Sequence, residues 1–161
     1  TSSFLIEGIP FVFTNSAMGC LVDVDIDTGL IKIEKFWAVE DCGTQINPKL
    51  VEEQIKGGVV QGIGGALYEE NIYDEYGNLV NGNMADYLVP MAYEMPDIIV
   101  DHVVTNSGRS ILGAKGAGEA GTGGAPAAIM NAVNDALKVK NVEVTSQPIT
   151  PEKILIALGK I

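Results

Sequence analysis

The length and composition of the chain exclude several classes of protein. It has 161 residues, of which 47% are hydrophobic and 19% charged, with a formal net charge of −11. This length is typical of one domain with a buried core, and residues 1–161 are treated as a single domain. The acidity argues against a nucleic-acid partner, because phosphates require clustered Lys and Arg. No apolar run reaches the roughly 18 residues that a membrane span requires.

The start of the chain and its cysteines predict its location. The chain begins at Thr1 rather than with Met, which predicts a processed or excised piece, and no secretory signal is visible. Its two cysteines, Cys20 and Cys42, are too few for a disulfide framework and are predicted to be free thiols. Together these features predict a cytoplasmic protein.

Residues 20–40 have the pattern of a β-hairpin. Apolar side chains alternate with acidic ones and then, after a Thr-Gly turn, with charged ones. A two-residue loop would pair Val24 with Ile33. The same register places Cys20 opposite Trp37, which keeps the two cysteines apart.

A long helix is predicted over residues 48–69. Asn47 suits the N-cap, Pro48 suits the first helical position, and apolar residues then recur at every fourth position. The helix contains five glycines, and each costs about 1 kcal/mol relative to alanine. Either tight helix packing or a flat polar ligand against the backbone would explain them. The face suited to such a ligand comprises Gln54, Gly58, Gln61 and Gly65.

A glycine-rich segment at residues 111–126 precedes a second predicted helix, over about 124–138, that Pro126 is expected to open. Glycines let a ligand approach main-chain N–H groups, and a helix N-terminus favours anions. Glu119 lies in the middle of the segment as a carboxylate suited to act as a base. Lys115 could contact a phosphate or stabilise an oxyanion, although a solvated lysine fits equally well.

Two other kinds of site are weakly indicated. Residues 116–121 match the G-x-G-x-x-G dinucleotide fingerprint, which requires a strand that leads directly into the glycines. The preceding predicted strand, residues 98–105, ends too early for that arrangement. A single histidine, His102, and two separated cysteines argue against a metal held by protein side chains, so no metal ligand is predicted.

Four ordered blocks of the chain carry a family resemblance: Asp41–Pro48, Gln54–Gly64, Asp86–Pro90 and Gly113–Glu119. In this order they resemble the C-terminal portion of the molybdopterin-binding large subunit of molybdenum hydroxylases. That family includes xanthine oxidases, aldehyde oxidoreductases and aerobic carbon monoxide dehydrogenases. The resemblance spans roughly residues 18–160, and it is greatest to the carbon monoxide dehydrogenase and aldehyde-oxidising branches.

The resemblance implies roles for particular residues. Glu119 matches the family's catalytic glutamate, a base that takes the proton of a hydroxyl group on molybdenum during a hydroxylation with water as oxygen source. Gln61 matches a glutamine that hydrogen-bonds the cofactor near the metal, and Gly62 follows it. The remaining residues expected to bind the cofactor are Lys115, Gly116, Ala117 and Gly118.

The resemblance also implies cofactors and partners. The expected cofactor is molybdopterin with molybdenum, in the cytosine dinucleotide form, whose dithiolene holds the metal. [2Fe–2S] clusters and FAD are expected on an iron–sulfur subunit and a flavin subunit, and the rest of the molybdenum-binding subunit completes the site. The chain is therefore expected to be a fragment or a split subunit that is inactive alone.

The expected substrate is an aldehyde, an N-heterocycle or a small molecule like carbon monoxide. The alternative function is a non-catalytic scaffolding module that assembles partner subunits. The predicted fold class is α+β, with a hairpin-rich mixed sheet, two main helices and a short C-terminal helix that Thr150 caps and Pro151 begins. With partners missing, a large apolar surface is expected on the chain.

Overall fold

The structure is a computed structural model that describes residues 12–161, and it contains a three-stranded sheet with two long helices packed on one face. The strands are β1 (Asn15–Val24), β2 (Ile31–Asp41) and β3 (Asp97–His102), and the helices are α1 (Pro48–Leu67), α2 (Ala120–Leu137) and α3 (Pro151–Ala157). Short 3₁₀ turns cover Ala92–Glu94 and Lys138–Lys140. Because β1 and β2 are antiparallel while β2 and β3 are parallel, the sheet is mixed, as predicted for an α+β fold.

The hairpin forms, but its predicted register is wrong. Val24 pairs with Ile31 rather than with Ile33. The cause is a wider loop over residues 26–29, in which the Asp25 amide donates to the Leu30 carbonyl oxygen at 2.9 Å. The Asp25 carboxylate also accepts hydrogen bonds from the loop itself, which fixes this wider turn.

A bulge between Leu21 and Val22 shifts the register again, so that Cys20 lies opposite Phe36 and the predicted pairing with Trp37 is wrong. Both cysteines are nevertheless free thiols, as predicted. Burial raises the pKa of the Cys20 thiol to about 11.

Two helices begin directly after their predicted N-cap residues. The Asn47 side chain accepts a hydrogen bond from the Leu50 amide, and α1 begins at Pro48. In the same way the Thr150 hydroxyl accepts from the Lys153 amide, and α3 begins at Pro151. Both predictions are confirmed. Caps of this kind involve residues that are neighbours in the chain, so a sequence can predict them.

The predicted start of α2 is wrong, because the helix begins at Ala120 and Pro126 lies inside it. Its glycine-rich first turns pack directly against α1. This tertiary contact outweighs the poor helix propensity of glycine, which is why the sequence placed the start too late. Glu119 consequently becomes the N-cap residue of α2.

The core lies between the sheet and both long helices. Phe36 and Ala38 of β2 are completely buried, because alternate residues of the strand face the helices. The predicted apolar stripe of α1 and an apolar face of α2 meet them there. The fully buried large apolar residues of these two helices are Ile55, Val59, Ile63, Ile129, Val133 and Leu137.

Large apolar side chains also remain on the surface of the described residues, as expected. Ile111 is 99% exposed and Tyr93 is 81% exposed. None of the helices described between residues 12 and 161 is long and apolar enough to cross a membrane.

Candidate functional site

A cleft of about 450 Å³ lies between α1 and the loop that leads into α2. It brings together two segments that the sequence singled out, the glutamine-bearing face of α1 and the glycine-rich loop. Its lining residues are Leu50, Glu53, Gln54, Gly57, Gly58, Gln61 and Gly118.

Some of the α1 glycines permit close packing of α1 against α2. A Cβ atom added to Gly58 would lie 3.1 Å from the Gly121 Cα atom. A Cβ atom added to Gly62 would lie 2.6 Å from the Ala125 Cβ atom, which is too close for any real contact. Helix packing, which the sequence left open, therefore explains these positions, and Gly62 faces α2.

Other glycines face open space. No other described atom lies within 4 Å of a Cβ built on Gly57, Gly65, Gly116 or Gly118, beyond the immediate chain and helix neighbours. Gly57 and Gly118 line the cleft. Helix packing does not explain these positions, and at Gly57 and Gly118 a flat group in the cleft could lie against bare backbone.

The two glutamines of α1 reach the α2 entry at different points. Gln54 Nε2 donates to the Gly118 carbonyl oxygen at 2.7 Å. Gln61 Oε1 lies 3.3 Å from the hydroxyl oxygen of Thr122, which also donates to the Gly58 carbonyl oxygen at 3.1 Å. Gln61 is exposed on the cleft wall. Besides its contact with Thr122, the Gln61 amide can donate and accept further hydrogen bonds. Gln61 can therefore also bind a polar ligand.

Glu119 lies directly after Gly118, at the edge of the cleft rather than among its lining residues. It is exposed, and within the described chain its carboxylate makes no capping hydrogen bond to α2. Glu119 lies at the N-terminus of this 18-residue helix, the end that attracts negatively charged groups. An uncommitted carboxylate beside a polar cleft can accept a proton from a bound reactant.

Lys115 is held away from solvent by an ion pair. Its Nζ atom lies 2.9 Å from Asp41 Oδ2, and the Lys115 and Asp41 side chains are 8% and 11% exposed. Nζ also donates to the Thr105 hydroxyl oxygen at 2.7 Å. The sequence predicted a contact with a phosphate or oxyanion, or a solvated lysine, and the structure directs the ammonium group to Asp41 and Thr105.

Thr105 completes this cluster. Its hydroxyl donates to Asp41 Oδ2, and its amide donates to Asp41 Oδ1 at 3.1 Å. The bonds from Thr105, followed by the bond from Lys115, hold the pKa of the Asp41 carboxyl well below its usual range. No sequence pattern indicated this role of Asp41 or Thr105, because Lys115 lies 74 positions from Asp41.

The polar groups of the cleft are the amides of Gln54 and Gln61, the carboxylate of Glu53 and backbone groups. Among residues 12–161, no three His, Cys, Asp or Glu side chains are grouped so that they could hold a metal ion. Such a cleft suits an organic polar ligand that brings its own functional groups.

The chain is similar in sequence to a known protein family. A family model described as the molybdopterin cofactor-binding domain matches residues 6–96. The nicotine 6-hydroxylase large subunit of Paenarthrobacter nicotinovorans is 45% identical over 91% of this chain and 18% of its own length. The carbon monoxide dehydrogenase large chain of Afipia carboxidovorans is 41% identical over 76% of this chain and 15% of its own length.

A solved structure agrees with these matches. The chain superimposes on quinoline 2-oxidoreductase from Pseudomonas putida 86 with a TM-score of 0.88 and 44% identity, over 91% of this chain and 19% of that one. The chain thus spans less than a fifth of the length of each of these relatives.

Proposed function

The chain belongs to the molybdopterin cofactor-binding domain family of the molybdenum hydroxylases, and we propose that it forms one wall of a hydroxylase active site in which Glu119 is the base. The observation that carries the proposal is the uncommitted Glu119 carboxylate beside a glycine-paved cleft. A scaffolding role would not require a carboxylate there or glycines that face open space.

The residues of the cleft fit the expected cofactor. Gln61 offers an amide, and the open backbone of residues 116–118 offers N–H groups without obstructing side chains at its two glycines. Gly62 contributes through the packing of α2, and Lys115 through the loop that it fastens. When bound, molybdopterin with molybdenum, in the proposed cytosine dinucleotide form, supplies the two-electron redox chemistry.

The protein residues supply proton transfer and placement. Glu119 accepts, on a carboxylate oxygen, the proton that the water-derived oxygen loses as it bonds to the substrate carbon. The hydrogen that leaves the same carbon carries away the electron pair of the broken C–H bond, which the two-electron chemistry of the bound cofactor would take up. Gln54 fixes the backbone before Glu119, and Thr122 fixes it after.

We propose an N-heteroaromatic compound as substrate. Support comes from two relatives, one named as a nicotine 6-hydroxylase and the other as a quinoline 2-oxidoreductase. The carbon monoxide dehydrogenase relative keeps carbon monoxide as a second candidate, and an aldehyde is the third.

The proposed partners follow from the length of this chain relative to that of its relatives. Because the chain matches less than a fifth of its relatives, the rest of the molybdenum-binding subunit must complete the cleft. An iron–sulfur subunit and a flavin subunit would carry the electrons away. Two free thiols are consistent with the reducing cytoplasm, which is the proposed location.

The test is metal analysis and visible absorption of the assembled enzyme that contains this chain. The proposal predicts molybdenum, iron–sulfur absorption bands, and bleaching of those bands by an N-heteroaromatic compound such as quinoline. Bleaching by an aldehyde or by carbon monoxide alone would change the substrate class. A complex without molybdenum and without iron–sulfur bands would favour the scaffolding alternative.

A further inference from the structure

We propose that the buried Asp41–Lys115 ion pair positions the loop that carries Glu119, so that Asp41 and Lys115 are positioning residues for the proposed base. The inference rests on the proposed function of Glu119, and it goes beyond that proposal by assigning a mechanical role to residues outside the cleft. We define the Glu119 loop as residues 113–119.

The Glu119 loop is fastened at two places. At its beginning, the Lys115 amide donates to the Cys42 carbonyl oxygen at 2.7 Å, and Gly43 and Ala114 form an isolated antiparallel bridge. Gly43 has a φ of +65°, and an added Cβ atom would overlap the Gly113 carbonyl group. Both features bring the end of β2 into direct contact with the loop.

At its far end the loop is fastened by Gln54, whose amide holds the Gly118 carbonyl oxygen. Between the two fastenings lie Gly116 and Ala117. Gly116 faces open space, so its packing does not define the conformation of the loop. The side chain of Lys115 is thus the attachment on the near side of this stretch, and Gln54 is the attachment on the far side.

The ion pair has the chemistry of a specific clamp. Both charges are nearly excluded from water, and Thr105 adds hydrogen bonds to each of them. A buried pair of this kind fixes relative orientation, and loss of one partner leaves the other charge uncompensated. It joins three segments that are distant in the chain: the end of β2, the segment after β3 and the Glu119 loop.

The clamp lies outside the hydrophobic core. Its three side chains come from the end of β2, the segment after β3 and the Glu119 loop, whereas α1 and α2 pack through apolar residues such as Ile55 and Ile129. Removal of the clamp should therefore loosen the loop while the α1–α2 packing persists. The same geometry assigns the Lys115 ammonium to the clamp rather than to a phosphate of the cofactor.

The test uses Lys115→Met and Asp41→Asn in the assembled enzyme. The matched control is Lys160→Met, which removes an exposed ion pair between Lys160 and Asp27, with Nζ and Oδ1 2.5 Å apart. Hydrogen–deuterium exchange is read over residues 113–119 and over α1 and α2. Thr105→Val provides a milder variant that removes the hydroxyl and leaves both charges in place, in case the other two fail to assemble.

The proposal predicts about tenfold faster exchange in the Glu119 loop and unchanged exchange in α1 and α2. It also predicts a kcat about 100-fold lower with little change in KM, because a small misplacement of the base impairs chemistry more than binding. Thr105→Val should give the same pattern with smaller amplitude, and Lys160→Met should give wild-type values.

Three results would overturn the clamp. These are wild-type exchange in the Glu119 loop, faster exchange with an unchanged kcat in an enzyme that Glu119→Gln inactivates, and loss of molybdenum with the loop still protected. The last result would make Lys115 a cofactor ligand. The exchange readout does not depend on Glu119 being the base, so failure of the proposed function leaves it interpretable.

Discussion

The side-chain amide of Gln54 donates to the carbonyl oxygen of Gly118, 2.7 Å away, and so ties α1 to the residue before Glu119. The two residues are 64 positions apart in the chain. Just after Glu119, Thr122 donates to Gly58 of the same helix. The proposed base is therefore bracketed by two hydrogen bonds to α1, and its position depends on that helix.

Gln54→Met is expected to lower the turnover of the assembled enzyme by up to about tenfold. The variant keeps the length of the side chain but removes the donor, and one hydrogen bond contributes about 0.5–1.5 kcal/mol. Steady-state kinetics would measure the effect. Gln147→Met is the matched control, because Gln147 Nε2 makes the same kind of bond to the Pro126 carbonyl oxygen at 3.0 Å, away from the cleft. Equal losses in both variants would contradict the role of Gln54.

Gly121→Ala is expected to lower the free energy of unfolding by about 1–3 kcal/mol, because the added Cβ atom would overlap the α1 backbone at Ile55 and Val59. Gly123→Ala is the control in the same helix turn. No described atom beyond its chain and helix neighbours lies within 4 Å of a Cβ at Gly123, so this change should stabilise by up to about 1 kcal/mol. Urea unfolding of both variants tests the contact, and shifts of the same sign would refute it.

Gly57→Ala is expected to raise stability while it weakens cofactor binding. The new methyl group meets open space in α1, so the free energy of unfolding should rise by up to about 1 kcal/mol. The same methyl group enters the cleft, so the molybdenum content of the assembled enzyme should fall. The scaffolding alternative predicts the gain in stability without any loss of metal. Gly123→Ala, outside the cleft lining, should keep its molybdenum.

The burial of Glu40 predicts that the free energy of unfolding depends on pH. Its side chain is completely buried, and neither carboxylate oxygen has a hydrogen-bond partner among the described residues. Burial raises its pKa to about 7 from an ordinary value of 4.5. Between these values the unfolded chain has released the proton that the folded chain still holds, so the free energy of unfolding falls as the pH rises.

Glu40→Gln should remove this fall in the free energy of unfolding, which amounts to roughly 2 kcal/mol between about pH 4.5 and 7. The neighbouring Asp41 has a lowered pKa, so its contribution is lost only as the pH falls below this window. Urea unfolding of the 161-residue chain at several pH values would measure both curves. Parallel curves for the two proteins would show that Glu40 is not the group responsible.

The local features of the fold could be predicted from the sequence, and the non-local ones could not. The caps at Asn47 and Thr150 depend on residues within one helical turn, so they were correct. The start of α2 was misplaced because it depends on contact between Gly121 and α1. The hairpin register failed because the Asp25 side chain opens the loop, a choice that alternation alone does not determine.

The candidate site shows the same division. Periodicity placed Gln54 and Gln61 on one face of α1, and both line the cleft. The pairing of Lys115 with Asp41 joins residues from separate segments, and no pattern in a single sequence connects them. The glycines also divide by their tertiary surroundings, since Gly58 meets α2 while Gly57 meets open space.

The role of Glu119 as the base is tested by Glu119→Gln in the assembled enzyme, with single-turnover reduction by the substrate as the measurement. The variant keeps the shape of the side chain but cannot accept a proton at neutral pH. The rate should fall at least about 10²–10⁴-fold, the range for a lost general base, while molybdenum content stays at the wild-type level. Glu143→Gln, an exposed acid outside the cleft, should change neither quantity. A Glu119→Gln enzyme that carries molybdenum and reduces at the wild-type rate would contradict the account.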